Sequence, residues 1–153
     1  MPNKGPRVRA PFWGSRIIRR TMQGLHLTAD LRGCAADAPA MTEPAALRAA
    51  CLAAVEAVGL KAVGELFHRF AVPPGTSHAP GVTGVVLLAE SHLAVHTWPE
   101  LAAVTLDVYV CNLGADHSAQ AEALLQRLLV VFAPADAAIE RLQRGSAQNT
   151  TLG

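Results

Sequence analysis

The side chains with the clearest capacity for chemistry lie close together between residues 82 and 111. Apolar, β-forming residues lead into Glu90-Ser91-His92, which is followed by His96 and, after a further apolar segment, by Cys111. A serine hydroxyl can attack the neighbouring backbone carbonyl if the chain is bent, and an imidazole is the side chain suited to act as the base. Polar groups in apolar strands are costly unless they are partnered, so their density here indicates chemistry.

The hydrophobic pattern around these residues predicts strands at 82–90, 93–98 and 103–111. In the last strand, alternation divides the side chains between an apolar face and a face that contains Asp107, Tyr109 and Cys111. Ser91 and His96 are an odd number of residues apart, so a straight strand would place them on opposite faces. We therefore expect a turn or bulge around 91–93.

The rest of the chain supplies the elements that hold these strands. We expect further strands at 23–31, 61–70 and 136–143, a helix capped by Thr42 and ended by Gly59, and a helix that begins at Asp116 or Ser118 and ends before Pro134; the segments 32–41 and 72–81 are loops. The order β-α-β-β-β-β-α-β predicts an α+β fold, a two-layer sandwich with an antiparallel-rich sheet and two helices on one face. We divide the chain into a basic N-terminal arm (1–22), a domain (23–145) and a polar tail (146–153).

Composition narrows the class of protein. Hydrophobic residues make up 51% and charged residues 16% of the 153 residues, and a subunit interface would bury much of that apolar surplus. No apolar run approaches the ~20 residues that cross a membrane, so we expect no membrane span. Three widely spaced cysteines and the lack of a signal-peptide pattern predict a cytoplasmic protein.

Charge is concentrated at the N-terminus, where the first 20 residues contain six basic and no acidic side chains. A basic arm can contact nucleic acid, but the pattern does not continue into the domain. We therefore expect a solvated or docked arm rather than a nucleic-acid-binding protein.

Three segments together resemble one known family. The sequence E-S-H-L-A-V-H-T-W-P-E at 90–100, followed by Cys111, is similar to the processing site of the prokaryotic S-adenosylmethionine decarboxylases. The blocks G-L-H-L-T-A-D-L-R-G-C at 24–34 and F-H-R-F at 67–70 resemble other parts of the same family. The family's fold agrees with the two-layer α+β sandwich predicted above.

The resemblance implies a proenzyme that cuts itself between Glu90 and Ser91. Ser91 would become a covalent pyruvoyl group that forms a Schiff base with the substrate, so neither a metal nor pyridoxal phosphate is expected. It also implies that His96 is the processing base, that Thr83 supplies the supporting hydroxyl where serine is usual, and that Cys111 is the general acid in turnover.

The resemblance further assigns the substrate site to Phe70, which would stack on adenine, and Glu100, which would hold the ribose hydroxyls. It implies decarboxylation of S-adenosylmethionine for spermidine biosynthesis by a homodimer of cleaved chains. The loop after Phe70 is several residues longer than is usual, however, and could fill the nucleoside pocket. A decarboxylase for arginine or ornithine therefore stays an alternative, as does a non-catalytic homologue.

A zinc site is the alternative interpretation of the polar residues near the proposed cleavage point. His92, His96 and Cys111 are ligand types that zinc accepts, but they make a loose set without a recognisable spacing. We expect no metal.

Overall fold

The computed structural model describes residues 23–145, which comprise six strands and three α-helices. In chain order the elements are β1 (Gly24–Arg32), α1 (Pro39–Thr42), α2 (Pro44–Ala57), β2 (Ala62–Arg69), β3 (Val82–Leu88), β4 (Ser91–Trp98), a 3₁₀ helix (Pro99–Leu101), β5 (Ala103–Cys111), α3 (Ser118–Phe132) and β6 (Asp136–Arg144). The predicted arm (1–22) and polar tail (146–153) lie outside the described residues.

The six strands form one sheet in the order β2-β3-β4-β5-β1-β6, and every pairing in it is antiparallel. Helix α2 packs against β2 and β3, whereas α3 packs against β5 and β1. The predicted two-layer α+β sandwich is therefore confirmed.

The two faces of the sheet differ sharply in composition. The face under the helices is apolar, and its strands contribute a fully buried set: Leu27, Leu93, Val95, Val104, Leu106 and Val108. The opposite face, which we call the open face, carries polar rows that the strand register aligns. One row runs His68, Thr83, His96, Thr105, Asp30, and a second row, four residues away along β4, contains His92, Tyr109 and His26. Because strand residues alternate between faces, this polarity follows directly from the sequence pattern.

Thr97 is the exception within the apolar layer, since it is the only polar side chain among residues 23–145 that is classed as buried. Its Oγ1 donates a hydrogen bond to the Met41 carbonyl (2.7 Å) and accepts one from the Val82 amide (2.8 Å). One hydroxyl thus joins α1 to two neighbouring strands and satisfies two buried backbone groups.

Three boundaries differ from those predicted. The expected loop 32–41 contains the start of α1, which begins at Pro39, a residue well suited to the first turn of a helix. Thr42 ends that helix, so Glu43 rather than Thr42 precedes α2. Strand β3 ends at Leu88 and β4 already begins at Ser91, because the two-residue turn between them lies two residues earlier than expected.

Candidate active site

The bond between Glu90 and Ser91 lies at the exit of a tight hairpin turn. Leu88 pairs with Ser91, so only Ala89 and Glu90 connect β3 to β4. Neither residue has a positive φ, since Ala102 and Ala133 are the non-glycine residues with positive φ in the part of the chain that is described. The turn is therefore not of the I′ or II′ type that two-residue hairpins favour.

The expected turn or bulge at 91–93 is wrong in position. The chain reverses at 89–90, and β4 then pairs regularly from Ser91 onwards. Without a bulge, strand alternation places Ser91 and His96 on opposite faces of the sheet.

Ser91 and Cys111 come together, as the resemblance implied. The Cys111 backbone amide donates a hydrogen bond to Ser91 Oγ at 3.1 Å. Both residues line a pocket of about 300 Å³ at the end of the sheet, together with Glu90, Lys61 and His117. The Ser91 hydroxyl accepts this bond and keeps its own proton available for donation.

Sequence reasoning missed His117, which immediately precedes α3 in the same pocket. Its Nδ1 lies 2.5 Å from Gln120 Oε1, and Gln120 Nε2 donates to the Val58 carbonyl at 3.3 Å. The spacing of His117 and Gln120 at a predicted helix start was a local signal of this pair.

His96 and Thr83, to which the resemblance assigns separate parts in processing, lie against each other on the open face. Thr83 Oγ1 lies 2.6 Å from His96 Nδ1, and the two residues are directly opposite each other on β3 and β4. The hydroxyl therefore fixes the orientation of the imidazole, although the pair lies on the face away from the Ser91 side chain.

Phe70 and Glu100 line a second cleft, of about 430 Å³, with Trp98, His68 and His78. The Phe70 and Trp98 rings pack at a centroid distance of 5.3 Å, and His78 Nδ1 lies 3.9 Å from Glu100 Oε2. His78 belongs to the long loop after Phe70, so that loop forms part of the wall of this cleft and leaves the cleft open.

The two clefts lie at opposite ends of β4. Ser91 begins this strand and Trp98 ends it, and at ~3.3 Å per residue the two ends are ~23 Å apart. A single small substrate does not span that distance within one chain.

A further polar cluster lies on the open face around Tyr109. His26 Nε2 hydrogen-bonds to Asp107 Oδ1 at 3.0 Å, and Arg144 lies 3.2 Å from His26 Nδ1 and packs over the Tyr109 ring. Burial, with smaller effects from His26 and Arg144, lowers the pKa of the neighbouring His92 against the opposing effect of Asp107. His26 is thus a satisfied strand histidine.

The three cysteines are all free thiols, but they differ in environment. Burial raises the pKa of the Cys34 thiol and raises that of Cys51 to about 12, which makes both poor nucleophiles. Cys111, in contrast, lines the pocket that contains Ser91. Within residues 23–145, no three or more histidine, cysteine, aspartate or glutamate side chains lie close enough together to hold a metal ion, and this includes His92, His96 and Cys111.

No helix in the described part of the chain is both long and apolar enough to cross a membrane.

Comparison with known proteins identifies the family. The family model for S-adenosylmethionine decarboxylase matches residues 25–145. The S-adenosylmethionine decarboxylase proenzyme of Pyrococcus furiosus is 32% identical over 122 residues, which are 80% of this chain and 78% of that one. The proenzyme of Aquifex aeolicus is 41% identical over 89 residues, covering 58% of this chain and 59% of that one.

A solved structure agrees with the sequence comparisons. The crystal structure of the adenosylmethionine decarboxylase from Aquifex aeolicus matches with a TM-score of 0.70 at 29% identity, over 87% of this chain and 99% of that one. The chain belongs to the S-adenosylmethionine decarboxylase family.

Proposed function

We propose that this chain is a pyruvoyl-dependent S-adenosylmethionine decarboxylase, activated by cutting itself between Glu90 and Ser91. The observation that carries the proposal is the position of Ser91: it follows a two-residue turn, its Oγ accepts the Cys111 amide, and it lines a pocket. The product would supply aminopropyl groups for spermidine biosynthesis. Three free thiols support a reducing, cytoplasmic setting.

Cleavage uses groups that the chain itself provides. Ser91 Oγ attacks the Glu90 carbonyl carbon, and the amide bond breaks to leave an ester. A base then removes the Ser91 α-proton, and the new C-terminal α-carboxylate of Glu90 leaves as the ester bond breaks. The resulting dehydroalanine loses ammonia by hydrolysis and becomes the pyruvoyl group. His96 of the same chain lies on the opposite face of the sheet from the Ser91 side chain. We therefore assign the α-proton removal to His96 of the partner subunit, whose ring is held in one orientation by the hydrogen bond between its Nδ1 and Thr83 Oγ1.

The surroundings of Ser91 fit a pyruvoyl group in its place. The Cys111 amide is a hydrogen-bond donor aimed at the serine oxygen, and the pocket provides room for a substrate amine. A pyruvoyl carbonyl would supply the electron sink for decarboxylation. We propose that Cys111, whose backbone lies beside Ser91, donates the proton to the α-carbon of the decarboxylated substrate.

Substrate recognition is assigned to the second cleft. Phe70 and Trp98 offer aromatic surface for a planar base, and the Glu100 carboxylate can accept hydrogen bonds from a diol. The relatives named above are called S-adenosylmethionine decarboxylases, which supports this substrate over arginine or ornithine and over a non-catalytic role.

We propose that two copies pair through their open faces and share each active site. Leu66, Leu87 and Leu142 are exposed on that face by 67%, 50% and 47%, and a second copy would bury them. A two-fold axis can reverse strand direction between the copies, so the Phe70 cleft of one copy would lie beside the end of the partner subunit's sheet, where the Ser91 pocket is. In this arrangement the substrate would not have to span the ~23 Å between the two ends of β4 in one chain.

Release of labelled carbon dioxide tests the substrate. Purified protein should release it from carboxyl-labelled S-adenosylmethionine and not from carboxyl-labelled arginine or ornithine. Activity confined to an amino acid would contradict the proposal, and no release from any of the three would favour a non-catalytic homologue.

Mixing two inactive variants tests the shared site. Glu100→Ala and Cys111→Ser chains, denatured together and refolded, should regain about a quarter of the wild-type activity, because half of the random dimers contain one intact site of two. Each variant refolded alone is the control. If every site belonged to one chain, the mixture would stay inactive.

A further inference from the structure

We propose that His117 is the base that takes the proton from the Ser91 hydroxyl during chain cleavage, and that Gln120 positions it. This inference rests on the proposed self-cleavage and assigns one of its steps. It concerns the first step, in which the amide becomes an ester, and leaves removal of the α-proton to His96.

The tautomer of His117 follows from its hydrogen bonds. Gln120 Nε2 donates to the Val58 carbonyl at 3.3 Å, so the Gln120 oxygen is the atom that faces His117 Nδ1 at 2.5 Å. An amide oxygen only accepts, so Nδ1 carries the proton and Nε2 keeps a free lone pair. A base whose other ring nitrogen is held by a third group is the arrangement that activates a serine hydroxyl in enzymes.

The framework around His117 is fixed by the fold. Its backbone amide donates to Asn112 Oδ1 at 2.9 Å, and Gln120 joins the start of α3 to the carbonyl of the residue after α2. His117 therefore holds its place between the two helices and the pocket that Ser91, Glu90 and Cys111 line.

Ser91 Oγ complements this base. It accepts the Cys111 amide, and its own proton has no recorded acceptor in the part of the chain that the structure describes. His96 of the same chain is badly placed to take that proton, because strand alternation turns its ring to the open face, where Thr83 binds it, and the α-proton is left to His96 of the partner subunit. The two histidines thus suit two different steps.

The step balances without a further reactant. His117 Nε2 accepts the Oγ proton as Oγ forms its bond to the Glu90 carbonyl carbon. The same ring returns the proton to the Ser91 backbone nitrogen as the carbon–nitrogen bond breaks. An ester and a free amine result, and His117 recovers its original state.

The test follows cleavage of freshly translated chains over time on denaturing gels. His117→Ala should slow the loss of the 16.0 kDa chain, by ~10²-fold or more, as expected for a lost general base. Added imidazole should restore part of the rate. Gln126→Ala, an exposed glutamine on the same helix, is the matched control and should cleave normally.

Hydroxylamine separates the two steps, because it cuts esters far faster than amides. Uncut His96→Ala chains should be split by hydroxylamine, since they reach the ester and stop. Uncut His117→Ala chains should resist it. Gln120→Ala should resemble His117→Ala, whereas Gln120→Glu keeps an acceptor for Nδ1–H and should cleave faster than Gln120→Ala.

The outcomes distinguish this inference from the proposed function. Wild-type rates in folded His117→Ala would overturn the role of His117 and leave self-cleavage standing, and hydroxylamine-sensitive His117→Ala chains would overturn the assigned step. If the wild-type chain itself stays whole, both proposals fail. Circular dichroism of each variant checks folding, and a misfolded His117→Ala leaves Gln120→Ala and Gln120→Glu to decide by the same readouts.

Discussion

The two ends of β4 differ in almost every respect. At the Ser91 end, one hydroxyl follows a two-residue turn and accepts a hydrogen bond from the Cys111 backbone amide, in a pocket of about 300 Å³ that Cys111 also lines. At the Trp98 end, two aromatic rings and a carboxylate line a cleft of about 430 Å³, and the residues that line it within 23–145 include no serine, threonine or cysteine. In the proposed function, the first end would break bonds and the second would hold a planar, hydroxylated ligand.

If both ends serve one reaction, as we propose, one chain provides the parts of the site and leaves them ~23 Å apart. A regular strand separates the two ends and holds their distance constant, so flexibility within the sheet does not bring them together. Pairing of two copies would bring the Ser91 end of one copy to the Trp98 end of the other. The open face, which lies between the two ends, is the surface through which we propose that the copies pair.

Cys111→Ser should reduce turnover by the proposed site at the Ser91 end without preventing chain cleavage. We expect turnover to fall by ~10²-fold or more, since a serine is a far weaker proton donor than a thiol, while the chain still cuts itself. Cys51→Ser is the control for loss of a buried thiol. Single-turnover assays on fully cleaved protein measure the effect, and undiminished turnover would remove Cys111 as the acid.

Thr97→Val should weaken the packing of α1 against β3 and β4 next to the Trp98 end, and leave the Ser91 end unchanged. The substitution leaves the Met41 carbonyl and the Val82 amide without their buried partner, and we expect a loss of ~1–3 kcal/mol in the free energy of unfolding. Chemical denaturation of the uncleavable Ser91→Ala chain measures it. Thr105→Val, on the open face, is the matched control, and equal losses in both variants would contradict the proposed role of Thr97.

Phe70→Leu should affect only the Trp98 end. Loss of aromatic contact is worth ~0.5–1.5 kcal/mol, so KM for S-adenosylmethionine should rise up to about tenfold with little change in kcat or in cleavage. Steady-state kinetics with the processed enzyme measure the change. A normal KM would show that the nucleoside binds elsewhere.

His92→Asn should change the free energy of unfolding by the smallest amount, and only at acidic pH. Burial lowers the pKa of folded His92 below the ordinary 6.5, so the unfolded chain binds more protons as the pH falls below that value. The wild-type chain therefore loses stability through this window, and the variant should lose less. Denaturation of Ser91→Ala chains with and without His92→Asn, at pH 7.5 and 5.5, tests this, and identical pH dependence would contradict it.

The apolar alternation of β5 and the stripe around Cys51 predicted the fold well, because they depend on local periodicity. The roles of Ser91, His96, Thr83 and Cys111 came from the family resemblance and stay predictions, and the contacts among these residues were not predicted. The position of the turn was not predicted either, since nothing in Ala89-Glu90 is typical of a two-residue hairpin. His117 was missed because its place beside Ser91 is not a local feature: its contact with Gln120 is local, but His117 and Ser91 line one pocket only in the folded chain.

The intact mass of the purified protein tests the central claim most directly. We predict two chains, residues 1–90 and 91–153, with the second lacking a free amino terminus and gaining one adduct from a carbonyl-trapping reagent. Ser91→Ala should remain a single chain. A wild-type protein that retains one unmodified 16.0 kDa chain, with no adduct, would contradict the account.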